Sequence, residues 1–218
     1  MSELKLIVGN KNYSSWSLRP WIALTQAEIA FEEIFIPFHD LEKFQAEISK
    51  YSGARRVPVL LHGETVIWDS LSILEYAADL FPEKNLWPTD LAVRGHARSI
   101  SAEMHSGFVN VRNALPMNLR RPLETYTLTA AVREDIIRII SVWREARSKY
   151  ASDGPFLYGA FTNADAMFAP VVSRFHTYGV PVEADIRDYM DAVLATPAFQ
   201  EWQAAGLKET WIVDQDEV

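Results

Sequence analysis

Apolar residues change their spacing along the chain, and the changes mark out its elements. Leu4 to Val8 is a short apolar run closed by Gly9-Asn10, which predicts a strand and a turn. From Leu18 the period lengthens. Leu18, Trp21, Ile22 and Ile29 recur at three- and four-residue spacing and predict a helix to about Ala30, with Pro20 in its first turn. Phe31 to Phe38 is rich in strand formers, and Leu41, Phe44 and Ile48 mark a further helix. Val57 to Leu61 and Thr65 to Trp68 flank His62-Gly63-Glu64, predicting a hairpin. Ser70 reads as the cap of a helix carrying Leu71, Leu74 and Ala78 on one face and ending near Phe81-Pro82. The order strand, helix, strand, helix, hairpin, helix over residues 1–80 predicts a small mixed α/β unit with a partly parallel sheet.

Residues 81–90 carry Pro82 and Pro88 without periodicity and read as a linker. From 91 to 218 the pattern is helical throughout. Leu91 to Leu115 reads as one long segment stopping before Pro116, followed by a break at Arg120 to Tyr126. Val132, Ile136, Ile139, Ile140 and Trp143 form the buried stripe of a helix from Thr129 to Tyr150. Thr162-Asn163-Ala164-Asp165 has capping-box spacing and opens a helix to about Thr177. Asp185 to Leu194 and Pro197 to Ala205 complete an all-α region.

Composition narrows the chemistry. At roughly 150 residues per domain, 218 residues allow one large domain or two small ones. There is no cysteine, which removes disulfides, thiolate metal sites and a cysteine nucleophile; any thiol chemistry must use a thiol brought by a substrate. The net charge of -8 argues against a broad phosphate-binding surface, so no nucleic-acid partner is expected. No apolar run approaches the roughly 20 residues of a membrane span, and acidic Glu3 stands where a signal peptide is basic. A cytoplasmic protein without a membrane partner is expected. The sequence has no HExxH, GxGxxG, P-loop or GxSxG motif, and its histidines lack close ligand spacing, so no metal is expected.

A constellation remains in the α/β unit. Tyr13-Ser14-Ser15-Trp16-Ser17-Leu18-Arg19 follows the first strand, Arg56-Val57-Pro58 enters the hairpin, and Asp69-Ser70 precedes a helix. These loops feed helix N-termini, which favour anions. With this order of elements the whole chain resembles the cytosolic glutathione transferases: a thioredoxin-like N-terminal domain joined to an all-α C-terminal domain. Residues 14–24 are similar to the active-site stretch of the serine-type zeta and tau classes, where a serine stands five residues before an R-x-x-I-A-L run. Arg19 and Ile22-Ala23-Leu24 match that run. Arg56-Val57-Pro58 resembles the family's basic-Val-cis-Pro motif, Asp69-Ser70 its acidic-Ser motif, and Thr162 to Asp165 its capping box. Asp69 stands where the family more often has Glu, and Trp16 replaces the cysteine of the zeta Ser-Ser-Cys.

The resemblance implies glutathione as co-substrate, supplying the thiol that the chain lacks. It puts Ser14 in the catalytic place, holding the thiolate, with Ser15 or Tyr13 as the alternative hydroxyl. Ser15, Arg56, Val57, Pro58, Asp69 and Ser70 are then the glutathione-binding residues: Val57 pairs with the cysteinyl part, Ser70 with the γ-glutamyl carboxylate, Asp69 with its ammonium and Arg56, or Arg55, with the glycyl carboxylate. Met104, His105, Phe108 and Arg112 share a helix face and are expected to line the pocket for a small apolar electrophile. On residue pattern alone, Met104 and Phe108 fit a packing stripe equally well. The resemblance further implies a homodimer. An isomerase of the maleylacetoacetate type and a non-catalytic glutathione or ligand carrier are the competing readings.

Overall fold

The computed structural model describes residues 3–122, 126–151 and 153–217. Four strands form one mixed sheet in the order β2-β1-β3-β4: β1 Leu4–Val8, β2 Glu32–Phe35, β3 Val59–His62 and β4 Thr65–Trp68. β1 runs parallel to β2 and antiparallel to β3, and β3 and β4 make the expected hairpin. Helix α1 (Ser15–Gln26) connects the parallel pair; α2 (Leu41–Ile48) follows β2 and α3 (Ser70–Leu80) follows β4.

Alternation along the strands sorts their side chains to two faces. Leu4, Leu6, Val8 and Leu60 join α1 and α3 in the main core. Ile7 and Val59 point the other way, onto Phe44 and Ile48 of α2. The sheet is therefore covered on both faces, in the thioredoxin-like arrangement implied by the resemblance.

The remaining helices are α4 (Leu91–Ser106), α5 (Val109–Ala114), α6 (Ala130–Tyr150), α7 (Asn163–Thr177), α8 (Ala184–Leu194) and α9 (Pro197–Gly206). Every residue of α7 except His176 is buried. It is seated by the capping box, in which Asp165 accepts from the Leu157 and Thr162 N–H groups at 3.0 and 2.8 Å. α7 also locks the two regions together. The Asn163 backbone N–H donates to the Leu86 carbonyl at 2.8 Å and its side-chain amide donates to the Leu74 carbonyl at 3.1 Å. Leu86 and Trp87 of the connecting segment are buried in the same core, so this segment is packed against its neighbours.

Four local expectations give way. α1 begins at Ser15, because Ser14 caps it; Pro20 therefore lies beyond the first turn, where its ring leaves the Trp16 carbonyl without an i+4 donor. Asp69, not Ser70, caps α3, its Oδ1 accepting from the Leu71 N–H at 2.9 Å. The segment from Leu91 to Leu115 is two helices. Gly107 ends α4, where a β-carbon would fall 2.8 Å from the Glu103 carbonyl oxygen, and Phe108 turns left-handed at φ 57° before α5. Ile140 is only half-buried, at the margin of the α6 stripe. Of the expected break at Arg120 to Tyr126, residues 123–125 lie outside the described residues.

Candidate active site

Two adjoining cavities open where the sheet loops meet α4, α5 and α7. The first, about 640 Å³, is lined by Arg56, Val57, Pro58, Trp68, Asp69, Ser70, His105 and Arg112 among others. The second, about 490 Å³, is lined by Tyr13, Ser14, Ser15, Phe38, Met117, Arg174 and Asp216 among others. Trp16, Arg56, Val57 and Arg112 belong to both walls.

The first cavity gathers the three sheet-loop motifs. Val57–Pro58 is a cis peptide bond, as the resemblance implies. Val57 precedes the β3 ladder, which starts at Val59, so its backbone N–H and C=O are not spent on sheet pairing. Ser70 is the first residue of α3; its hydroxyl is buried and has no protein hydrogen-bond partner among the described residues. A buried hydroxyl without a partner costs free energy, and this one lies in the wall of the first cavity. Arg56 lines the cavity, whereas Arg55, at φ 53°, gives its carbonyl to Gln45 and does not.

The head of α1 bears three serine hydroxyls. Ser14 Oγ and Ser17 Oγ are 2.8 Å apart, and Ser17 Oγ accepts from the Gly9 N–H at 3.2 Å. Ser15 Oγ accepts from Arg174 Nη2 at 3.2 Å. Tyr13 is turned elsewhere: its hydroxyl accepts from Arg120 Nη2 at 2.6 Å and donates to Glu217.

Behind these hydroxyls lies a guanidinium cluster, of which sequence reasoning named Arg19 as a motif residue and Arg112 as a pocket residue but not Arg174. Arg19 is fully buried, donates Nε to the Met167 carbonyl at 3.0 Å and leaves both terminal nitrogens without partners among the described residues. Arg174 donates to the Leu115 carbonyl at 2.8 Å, and its Nη1 likewise finds no partner among the described residues. The guanidiniums of Arg19 and Arg112 lie 4.0 and 5.0 Å from the centre of the Trp16 ring. Burial, then mutual repulsion, holds Arg19 well below the usual arginine range and Arg174 down to about 10, while burial lowers Arg112. Burial raises the Asp216 carboxyl against the pull of Arg174. Arg19 was legible as a motif residue. Arg174 carried no signal, because nothing in the spacing of a wholly buried helix marks one arginine as facing a cavity.

The α4–α5 face divides. Met104 and Phe108 are in the main core and line neither cavity: Met104 lies on the buried stripe of α4 with Ala97 and Ile100, and Phe108 stands at the left-handed turn into α5. Arg112 lines both cavities. His105 lines the first one, its Nε2 lying 3.2 Å from Asp69 Oδ2.

The family model Glutathione S-transferase, N-terminal domain, matches residues 13–80. The chain is 30% identical to the Probable maleylacetoacetate isomerase of Caenorhabditis elegans over 81% of its own length and 88% of that protein's. It is 28% identical to Glutathione S-transferase Z2 of Arabidopsis thaliana, over 87% and 88% of the two chains. Its fold is similar to that of a glutathione transferase homolog from Burkholderia gl BGR1, solved with bound glutathione. The TM-score is 0.72 at 22% identity, covering 94% of this chain and 98% of that one. A tau class glutathione S-transferase from mango gives a TM-score of 0.70 at 19% identity, over 92% of each chain. The chain belongs to the glutathione S-transferase family.

Proposed function

We propose that this protein is a glutathione transferase that ionises the thiol of glutathione at the head of α1 and presents it to an electrophile in the second cavity. One observation carries the reading. The buried Ser70 hydroxyl, without a partner among the described residues, lines one cavity and the Ser14 and Ser15 hydroxyls line another, and the two cavities share Val57 and Trp16 in their walls.

Glutathione fits the residues present. Val57 offers a free N–H and C=O for strand-type pairing with the cysteinyl part. Ser70 offers a hydroxyl and a helix N-terminus to the γ-glutamyl carboxylate, Asp69 a carboxylate to the ammonium, and Arg56 a guanidinium to the glycyl carboxylate. A free thiol with a pKa near 8.5 is only a few per cent ionised at neutral pH. A hydroxyl is too weakly acidic to serve as its base, but a hydrogen bond from Ser14 together with the α1 N-terminus stabilises the thiolate. A hydroxyl carries one proton and two acceptor sites. When Ser17 supplies the proton of the Ser14–Ser17 bond, that of Ser14 turns to the sulfur.

The second cavity carries the guanidiniums of Arg56, Arg112 and Arg174, with Arg19 behind them. That supports an electrophile bearing an anionic group rather than a wholly apolar one. The same observation favours a second reading, an isomerase acting on an acidic cis-diketo substrate with glutathione returned unchanged. A cytoplasmic location, a role in detoxification and a homodimer complete the proposal. Exposed Trp68 on edge strand β4 and Leu91 on α4 offer apolar surface for a second copy.

Calorimetric titration with glutathione, followed by assays with an activated aryl halide and a cis-diketo acid, tests this. The expected result is saturable binding and net consumption of glutathione. Turnover of the diketo acid without net consumption selects the isomerase, and binding without turnover selects a carrier. Absence of glutathione binding overturns the reading.

A further inference from the structure

His105 belongs to the last turn of α4, yet its ring meets the cap of α3. Nε2 lies 3.2 Å from Asp69 Oδ2, while Asp69 Oδ1 accepts from the Leu71 N–H at 2.9 Å. The Nε2–Oδ2 separation is within ion-pair range, and a ring nitrogen bearing hydrogen there can donate to the carboxylate. Asp69 also sits at φ 77°, a conformation uncommon for a residue with a β-carbon, and the backbone thereby aims its side chain. The histidine ring is packed on one side and its backbone is held on the other, while Nδ1 is buried without a hydrogen-bond partner among the described residues. It packs edge-on to Trp16 at 5.3 Å between ring centres, and Arg112 Nη1 donates to its carbonyl at 3.2 Å.

We infer that His105 is a positioning residue of the first cavity. It holds the Asp69 carboxylate so that the lone pairs left over face the cavity as a receptor for the ammonium of a γ-glutamyl ligand. This rests on the glutathione reading above, and moves His105 from the electrophile to the glutathione. Aspartate is one methylene shorter than glutamate. A carboxylate tied at one oxygen only can rotate away, and binding must then bear the cost of ordering it. With both oxygens tied, one orientation is set before the ligand arrives.

The test uses the full-length protein, glutathione, and an analogue lacking the α-amino group. Calorimetric Kd values and steady-state constants are measured for wild type, His105→Leu, His105→Gln and the Asp69→Asn variants of each, with melting temperatures as a check on folding. His105→Leu is expected to raise Kd and KM for glutathione about tenfold. The kcat at saturating glutathione and the KM for the electrophile stay unchanged. His105→Gln, whose amide presents an N–H at similar reach, restores most of the affinity. The desamino analogue binds wild type and His105→Leu equally, and in the Asp69→Asn background His105→Leu adds less than about twofold. The inference is overturned if His105→Leu moves the electrophile KM instead, if the analogue is weakened as much as glutathione, or if glutamine fails to restore binding. If wild type binds no glutathione, the reading beneath the inference fails and takes the inference with it.

Discussion

Arg174 Nη2 donates to Ser15 Oγ at 3.2 Å, tying the helix that carries the proposed sulfur site to the buried helix α7. The pair gives the neighbouring serines different work. Ser15 is held from behind by a fixed cation. Ser14 caps α1 and shares a proton with Ser17.

Replacing the two serines should therefore have unequal effects. Ser14→Ala is expected to lower kcat/KM for conjugation about ten- to a hundredfold, the value of one hydrogen bond to a charged group. It should also cost about 1 kcal/mol of stability through the lost cap. Ser14→Thr, which keeps a hydroxyl and a capping oxygen, should recover most of both. Ser15→Ala is expected to cost less than about tenfold in rate. Steady-state assays beside chemical denaturation separate the two effects. A larger rate loss in Ser15→Ala would transfer the donor role to Ser15.

Arg174 also lines the second cavity, its Nη1 without a partner among the described residues. Arg174→Met should lower kcat/KM for a carboxylate-bearing electrophile about ten- to a hundredfold. A neutral electrophile of similar size should lose far less. Equal losses for both would mean that the arginine acts only through Ser15 and does not touch the electrophile.

Asp165 accepts from three donors, the N–H of Leu157 and both the N–H and hydroxyl of Thr162, all buried. Asp165→Ala strands them together and is expected to destabilise the fold by about 3 kcal/mol or more. Thr162→Ala removes one side of the box and should cost about 1 kcal/mol. Denaturation midpoints test this ratio.

His96 predicts a pH dependence. Its Nδ1 is 2.7 Å from the Tyr158 hydroxyl, and Glu145 stands 3.9 Å from Nε2. Burial lowers its pKa, with Glu145 opposing and Lys149 adding to the shift. The unfolded chain, with histidine near pKa 6.5, therefore takes up more protons than the folded one in mildly acid solution. Stability should be level above pH 6.5 and fall as the pH drops below it. His96→Gln should flatten that fall when melting temperature is followed from pH 7.5 to 5.5. An unchanged slope would exclude His96 as its source.

Helices α2 and α3 were legible because each buries one face at a three- to four-residue period, and the strands because they are short runs of strand formers bounded by turn residues. The loops proposed to bind glutathione were legible by resemblance, as short motifs in a fixed order. Three things were not. The break before α5 depends on Phe108 in a left-handed conformation, and only the adjacent glycine hints at it. The start of α1 depends on a cap at Ser14 that precedes the apolar period by a full turn. The role of His105 depends on α4 reaching the cap of α3, a meeting of residues 36 positions apart that no local pattern records.

The central claim is that the head of α1 stabilises a thiolate. It is tested most directly by following thiolate absorbance of protein-bound glutathione as a function of pH. The account predicts a bound thiol ionising well below the free value of about 8.5, with much of the shift lost in Ser14→Ala. A bound thiol that titrates like free glutathione in the wild-type protein would contradict it.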